Sequence, residues 1–193
     1  MTESLVLDPA TTALVVIDLQ RGILERETSP HPNADVLARA AQLAAQCRKV
    51  GAAVVLVNVG FSGEEKHRLT QPVDSPNPPG KMAVGWNDLD PALAVAPNDI
   101  LITKRQWGAF YGTALDLELR RRGVTTIILC GIATNVGIES TARDAWERNY
   151  ALVFAEDAMA STTPGAHEFT MKTTFPRIGR VRRTGDILAA LPA

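Results

Sequence analysis

Three groups able to do chemistry stand where apolar runs stop. Asp18 ends the run TALVVIDL at 12–19, and Lys104 ends ILITK at 100–104. Thr134 to Gly137 open a helical pattern just after TTIILC and Gly131. A carboxylate can give or take a proton, and an ammonium beside it orients it and tunes its acidity. Backbone N–H groups in the first turn of a helix favour an anion. The set describes acid–base chemistry on a small polar molecule. Gln20, just beyond Asp18, can bond a substrate or a neighbouring loop. Trp107, Phe110 and Tyr111 follow Lys104 and can line or lid the site; core packing is the other use of such rings. Trp86, beside Asn87 and Asp88, can close over the mouth or meet a partner subunit.

The remaining reactive side chains are scattered. The chain has two cysteines, Cys47 and Cys130, both inside predicted core elements, so no disulfide framework is expected. His31, His67 and His167 are the three histidines, and the sequence has no CxxC and no HExxH. The expectation is no metal and no cofactor, with His31 and His167 as surface or structural residues.

The elements that must position these groups are legible from periodicity. Residues 12–19, 52–59, 100–104, 125–130 and 151–155 are short, β-branched apolar runs, the pattern of strands buried on both faces. Between them lie helical patterns at 33–50, 113–122 and 134–149. The first has Asn33 as its candidate cap and Gly51 as its stop. In the third, Ile138, Thr141, Ala142, Ala145 and Trp146 form one apolar face. A helix at 167–174, a strand near 180–183 and a helix at 186–191 close the chain. Residues 61–99, with four prolines between Pro72 and Pro79, form a long loop of the kind that is often functional. Alternating strands and helices predict a doubly wound α/β/α sandwich with a mainly parallel, Rossmann-like sheet. Ligands in such sheets bind at the carboxyl ends of the strands, near the switch point. Asp18, Lys104 and the turn after Gly131 are predicted to converge there.

Composition narrows the function. A chain of 193 residues suits one domain, read here as 1–193. With 46% hydrophobic residues it has enough apolar surface to fold. A net charge of -1 argues against nucleic acid or an anionic membrane as the main partner. The basic run Arg120–Arg122 falls at a helix end, where cations suit the dipole and solvent. No apolar run reaches membrane-spanning length, and the expected compartment is the cytoplasm. Dinucleotide binding is disfavoured, because the first strand leads into DLQRG rather than GxGxxG.

The wording of three segments adds to this. VVIDLQ at 15–20, KRQWGAF at 104–110 and CGIATNVGIESTARDA at 130–145 strongly resemble the isochorismatase-like hydrolases, from about Thr12 to Leu188. That family includes isochorismatases, nicotinamidases and N-carbamoylsarcosine amidohydrolases. The resemblance implies a three-layer fold with a parallel sheet of about six strands. It also implies an Asp–Lys–Cys triad, in which Asp18 and Lys104 take the first two places. The cysteine position is Gly137, so this chain resembles a subgroup without the nucleophile. Cys130 lies upstream, inside a predicted strand, and cannot replace it. The resemblance further implies a cis peptide at Ile132–Ala133 and an oxyanion hole from the backbone N–H groups of Ala133 and Gly137. Thr134 and Asn135 would then border the substrate.

Glycine at 137 permits no thioester. Isochorismatases share this glycine and cleave a vinyl ether without a covalent intermediate, using their Asp as general acid. Two departures stand beside that likeness. The isochorismatases' substrate-binding glutamine corresponds here to Gly60, and ATNVG is closer to the cysteine amidohydrolases. The metal cluster of nicotinamidases is not matched, since VNVGFSGEEKHR at 57–68 contains only His67. The leading expectation is a small-molecule hydrolase acting through Asp18 and Lys104, assembled as a homodimer or homotetramer. The alternative is a non-catalytic small-anion binding protein on the same scaffold.

Overall fold

The strand β1 (Thr12–Ile17) is buried at all six positions, as its unbroken apolar run requires. It lies at the centre of the sheet in a computed structural model that describes residues 5–61, 68–76 and 82–192. β2 (Ala53–Val59), β3 (Ile100–Lys104), β4 (Thr126–Ile132), β5 (Ala151–Ala160) and β6 (Arg180–Arg182) complete it. All pairings are parallel, in the order β3-β2-β1-β4-β5-β6. The order reverses between β1 and β4, which makes that junction the switch point.

Successive β1 side chains alternate between two cores. Leu14 and Val16 join the cluster of α2 (Asn33–Val50) and α7 (Thr184–Ala190), including Val36, Ala40, Leu43 and Ile187. Ala13, Val15 and Ile17 face the other way. There they join Leu115 and Leu119 of α3 (Leu115–Arg121), Ala142 and Ala145 of α4 (Glu139–Glu147), and Phe175 of α6 (Phe175–Ile178). Phe154 and Phe175 stack with centroids 3.8 Å apart. The two remaining helices are α1 (Arg21–Leu24) and α5 (Ala166–Thr173).

The predicted elements are present, with informative differences. α2 ends at Gly51, whose φ of 81° is the left-handed stop the sequence promised. Asn33 is not its cap, because Pro32 occupies that position. The Asn33 amide instead donates to the carbonyl of Leu24 at 2.8 Å and that of Arg26 at 2.5 Å. Trp146 is exposed at 52%, so it leaves the α4 face to Ile138, Thr141, Ala142 and Ala145. β5 runs to Ala160 because a bulge lengthens it: Leu129 pairs Phe154, but Gly131 pairs Met159. Polar Glu156 and Asp157 fall in that bulge, which is why periodicity stopped the strand early. His67 and residues 77–81 of the long loop lie outside the described residues.

Candidate active site

The site grows out of the end of β1. Asp18 takes a left-handed backbone conformation, φ 54°, uncommon outside glycine but tolerated by Asp. Its N–H is held by the carbonyl of Val57 at 2.8 Å. Lys104, at the end of β3, reaches past β2, and its Nζ donates to Asp18 Oδ2 at 2.7 Å. A second Nζ proton goes to the carbonyl of Gln106 at 3.1 Å. Both residues are buried, Asp18 at 6% and Lys104 at 2% exposed.

Burial raises the Asp18 carboxyl from 3.8 to about 6, and the Lys104 ammonium, with its hydrogen bond, opposes the rise without cancelling it. The two opposing effects at this carboxylate are thereby ranked. Among the described residues, no donor reaches Asp18 Oδ1. A buried oxygen of that kind suits a proton or a ligand donor.

The third part comes from the end of β4. Gly131, φ 122°, approaches β1 so closely that a Cβ there would lie 2.0 Å from the carbonyl oxygen of Ile17. Only glycine permits this contact. The next peptide but one, Ile132–Ala133, is cis. The chain then enters a wide π-type turn, Thr134–Ile138, in which the Ile138 N–H donates to the carbonyl of Ala133 at 3.2 Å. Periodicity read this stretch as an ordinary first turn, since one extra residue in a turn leaves the apolar pattern downstream unchanged. The turn brings Gly137 against β1. A Cβ at Gly137 would meet Ile17 Cγ2 at 3.1 Å, Asp18 Oδ2 at 3.2 Å and the Trp107 carbonyl oxygen at 3.5 Å. The three predicted groups are therefore in one place.

The other expected residues divide. Gln20 is fully buried and its amide is committed to the scaffold. Its Nε2 donates to the carbonyls of Val59 at 3.0 Å and Trp86 at 3.3 Å, and its Oε1 accepts from the Val59 N–H at 2.8 Å. Of the two partners open to it, the structure supplies the loop. Phe110 is 4% exposed, tilted against Tyr150, and belongs to the core cluster of α3 and α4, the second of the two uses open to such a ring. Trp107 contributes its carbonyl to the site, while its ring and that of Tyr111 are exposed at 63% and 78%. Thr134 is buried and its Oγ1 donates to the carbonyl of Ala160 at 3.1 Å. Asn135 accepts from Ser161 Oγ at 2.6 Å. Both thus fasten the turn to the end of β5. The Trp86 segment packs along 19–22, with the Gly22 and Arg21 N–H groups donating to the carbonyls of Trp86 and Asp88, each at 2.9 Å. A Cβ at Gly22 would overlap the Trp86 ring at 1.9 Å.

Two supporting residues are not among the expected site residues, since their spacing marks Thr141 only as part of a helix face and Gln106 only as part of a loop. Thr141 Oγ1 donates to the carbonyl of Gly137 at 2.7 Å and accepts from the Ala109 N–H at 3.1 Å. It ties the glycine turn to the loop after Lys104. Gln106 braces the same loop through the carbonyls of Gly108 and Tyr111, at 2.9 and 2.7 Å.

The Isochorismatase domain profile matches residues 12–186. The chain belongs to the isochorismatase family. It is 51% identical over 185 residues to the isochorismatase family protein YecD of Escherichia coli O157:H7, covering 96% of this chain and 98% of that one. It is 35% identical to the ureidoacrylate amidohydrolase RutB of Methylobacterium radiotolerans, covering 84% of this chain and 72% of that one. An isochorismatase family protein from Burkholderia thailandensis superposes with a TM-score of 0.93 at 42% identity, covering 98% of this chain and 99% of that one. The six-stranded parallel sheet is thus that of the family. Among the described residues, no helix is long and apolar enough to cross a membrane.

Proposed function

We propose that this isochorismatase-family chain hydrolyses a small molecule without a covalent intermediate, with Asp18 as the proton-transfer group. The observation that carries the reading is the Asp18 carboxyl. It is buried, raised to about 6, bonded to Lys104 through one oxygen and free of protein donors at the other among the described residues. A carboxyl poised near neutrality suits proton transfer. Gly137 offers no nucleophilic side chain beside it, which favours direct attack by water.

The preferred substrate class is a vinyl ether bearing a carboxylate; a small amide is the related possibility. Protonated Asp18 gives its proton to the terminal alkene carbon, and the ether carbon becomes an oxocarbenium centre. Water adds to that centre and returns a proton to the Asp18 carboxylate. The hemiketal then gives up its hydroxyl proton as the bond to the leaving oxygen breaks and that oxygen takes a proton, so that ether and water become alcohol and ketone. Lys104 orients Asp18, and the N–H groups of Ala133 and Gly137 hold the substrate's negative charge. The name of the RutB relative, an amidohydrolase, supports the amide class. The reading extends to a cytoplasmic homodimer or homotetramer. The exposed rings of Trp146 and Phe169 provide apolar surface for a second copy, checked by light scattering.

The test is a panel of carboxylated vinyl ethers and N-carbamoyl amides assayed with wild type, Asp18→Ala and Lys104→Met. Turnover of one class is expected, with a loss of ~10³-fold in Asp18→Ala. Wild-type rates in that variant overturn the reading. The second reading, a small-anion binding protein, is favoured by the Lys104 cation at a site without a side-chain nucleophile. Saturable anion binding without turnover, weakened in Lys104→Met, would establish it instead.

A further inference from the structure

Behind the glycine turn, three side chains from distant parts of the sequence meet. His31 precedes α2, Glu156 lies in the β5 bulge, and His167 is in the first turn of α5. Glu156 Oε1 is 3.3 Å from His31 Nε2 and 3.7 Å from His167 Nε2, and the three ligand atoms all lie within 4.8 Å of one another. The two imidazoles meet edge to face, with centroids 5.7 Å apart.

The hydrogen bonds around His167 assign its tautomer. Thr134 Oγ1 has one proton and gives it to the carbonyl of Ala160 at 3.1 Å. At 2.9 Å from His167 Nδ1 it therefore accepts, which places the imidazole proton on Nδ1. Nε2 is left as a lone pair. It is buried on a residue only 2% exposed, has no hydrogen-bond partner among the described residues, and faces a carboxylate oxygen. A lone pair opposite an anion is repulsive unless a cation stands between them. Among the described residues, no lysine or arginine pairs with Glu156.

We propose that His31 Nε2, Glu156 Oε1 and His167 Nε2 form a binding site for a divalent transition-metal ion of the Zn²⁺ or Co²⁺ class. Two imidazoles and one carboxylate are a donor set these ions accept, and bonds of about 2.0–2.2 Å put tetrahedral ligand atoms roughly 3.3 Å apart. The observed 3.3 and 3.7 Å lie near that edge length. Thr134 supplies the outer support that fixes a metal-bound histidine, by accepting from its other nitrogen. His31 and Glu156 are partly exposed, at 19% and 26% of their side chains, which gives an ion an entry path and leaves a fourth position to solvent. Because Thr134 also opens the turn that carries Gly137, the bound ion braces that turn from behind. The site does not depend on the chemistry assigned to Asp18.

The test uses the full chain, stripped with chelator and titrated with Zn²⁺ by calorimetry and with Co²⁺ by visible absorption. One ion per chain, a tetrahedral or five-coordinate Co²⁺ spectrum and a rise in Tm are expected. His31→Ala and Glu156→Gln, both at the exposed edge of the cluster, should each lose the Co²⁺ bands while keeping the wild-type circular dichroism. Thr134→Val should bind about 10–100-fold more weakly. The proposal is overturned if wild type binds no ion, or if stoichiometric binding with an unchanged spectrum persists in both His31→Ala and Glu156→Gln.

Discussion

Lys104 Nζ donates to Asp18 Oδ2 across 2.7 Å, and yet the Asp18 carboxyl remains raised to about 6. Desolvation outweighs the ion pair. The ionised pair is therefore not a net source of stability, and the Asp18 backbone beside it is left-handed, φ 54°.

The proton-donor role has a pH signature. If the protonated carboxyl reacts, kcat/KM for a vinyl ether falls about tenfold per pH unit above about 6, as the acid form is depleted. A rate that instead rises through about pH 6 would assign Asp18 as a base. Steady-state rates from pH 4.5 to 8.5 decide, with the range set by ordinary enzyme stability.

Stability should respond with the opposite sign from a surface ion pair. An acid whose folded pKa exceeds its unfolded value binds its proton more tightly when folded. The cost is then present above about pH 6 and relieved as pH falls toward 3.8, a difference of about 3 kcal/mol. Asp18→Asn alone leaves Lys104 buried without a counter-charge and should destabilise by about 3 kcal/mol. The double variant Asp18→Asn, Lys104→Met should match or exceed wild type, by up to about 4 kcal/mol at pH 8 in urea denaturation. A double variant weaker than both single variants would refute this account.

Gly137→Cys offers a geometric check. The new Cβ would lie 3.2 Å from Asp18 Oδ2, the oxygen that accepts from Lys104 Nζ, just before the first residue of α4. Such surroundings activate a thiol. The native thiols make a silent background, since burial pushes Cys47 up to about 12 and Cys130 also upward. Iodoacetamide should label position 137 faster than a free thiol at pH 7, read by mass spectrometry. Labelling no faster than free cysteine would mean that the three groups do not act together.

Gln20→Ala probes the mouth. It removes two donated bonds and leaves the Val59 N–H without its 2.8 Å acceptor. A cost of about 2 kcal/mol follows, and for a chain of this size the Tm should fall by roughly 6 °C. Hydrogen exchange should quicken in residues 82–90, whose backbone docks on 19–22. Unchanged exchange there would show that the backbone bonds to 19–22 and the Trp86 packing hold the segment without Gln20.

How much of this was legible in the chain follows from which forces act locally. β-branched runs and helical spacing are local, so five strands, α2, and the placing of Asp18 and Lys104 at strand ends could be read directly. Gly137 was likewise visible, as a glycine in a helix start whose wording resembles a family that often carries cysteine there. Distances between elements were not local. The acidity of Asp18 is set by burial, and the glycine turn that stands against it shares no periodicity with β1. Gln20 and Phe110 had two plausible uses each, and only packing assigned them to the scaffold and the core. The His31–Glu156–His167 cluster was invisible to motif spacing, because its members stand 125 and 11 positions apart and one rides on a bulge. Sequence determined which groups stand at the mouth of the sheet. Tertiary structure decided their protonation, their partners and the cluster behind them, because desolvation and through-space contact depend on neighbours that the chain brings together only by folding.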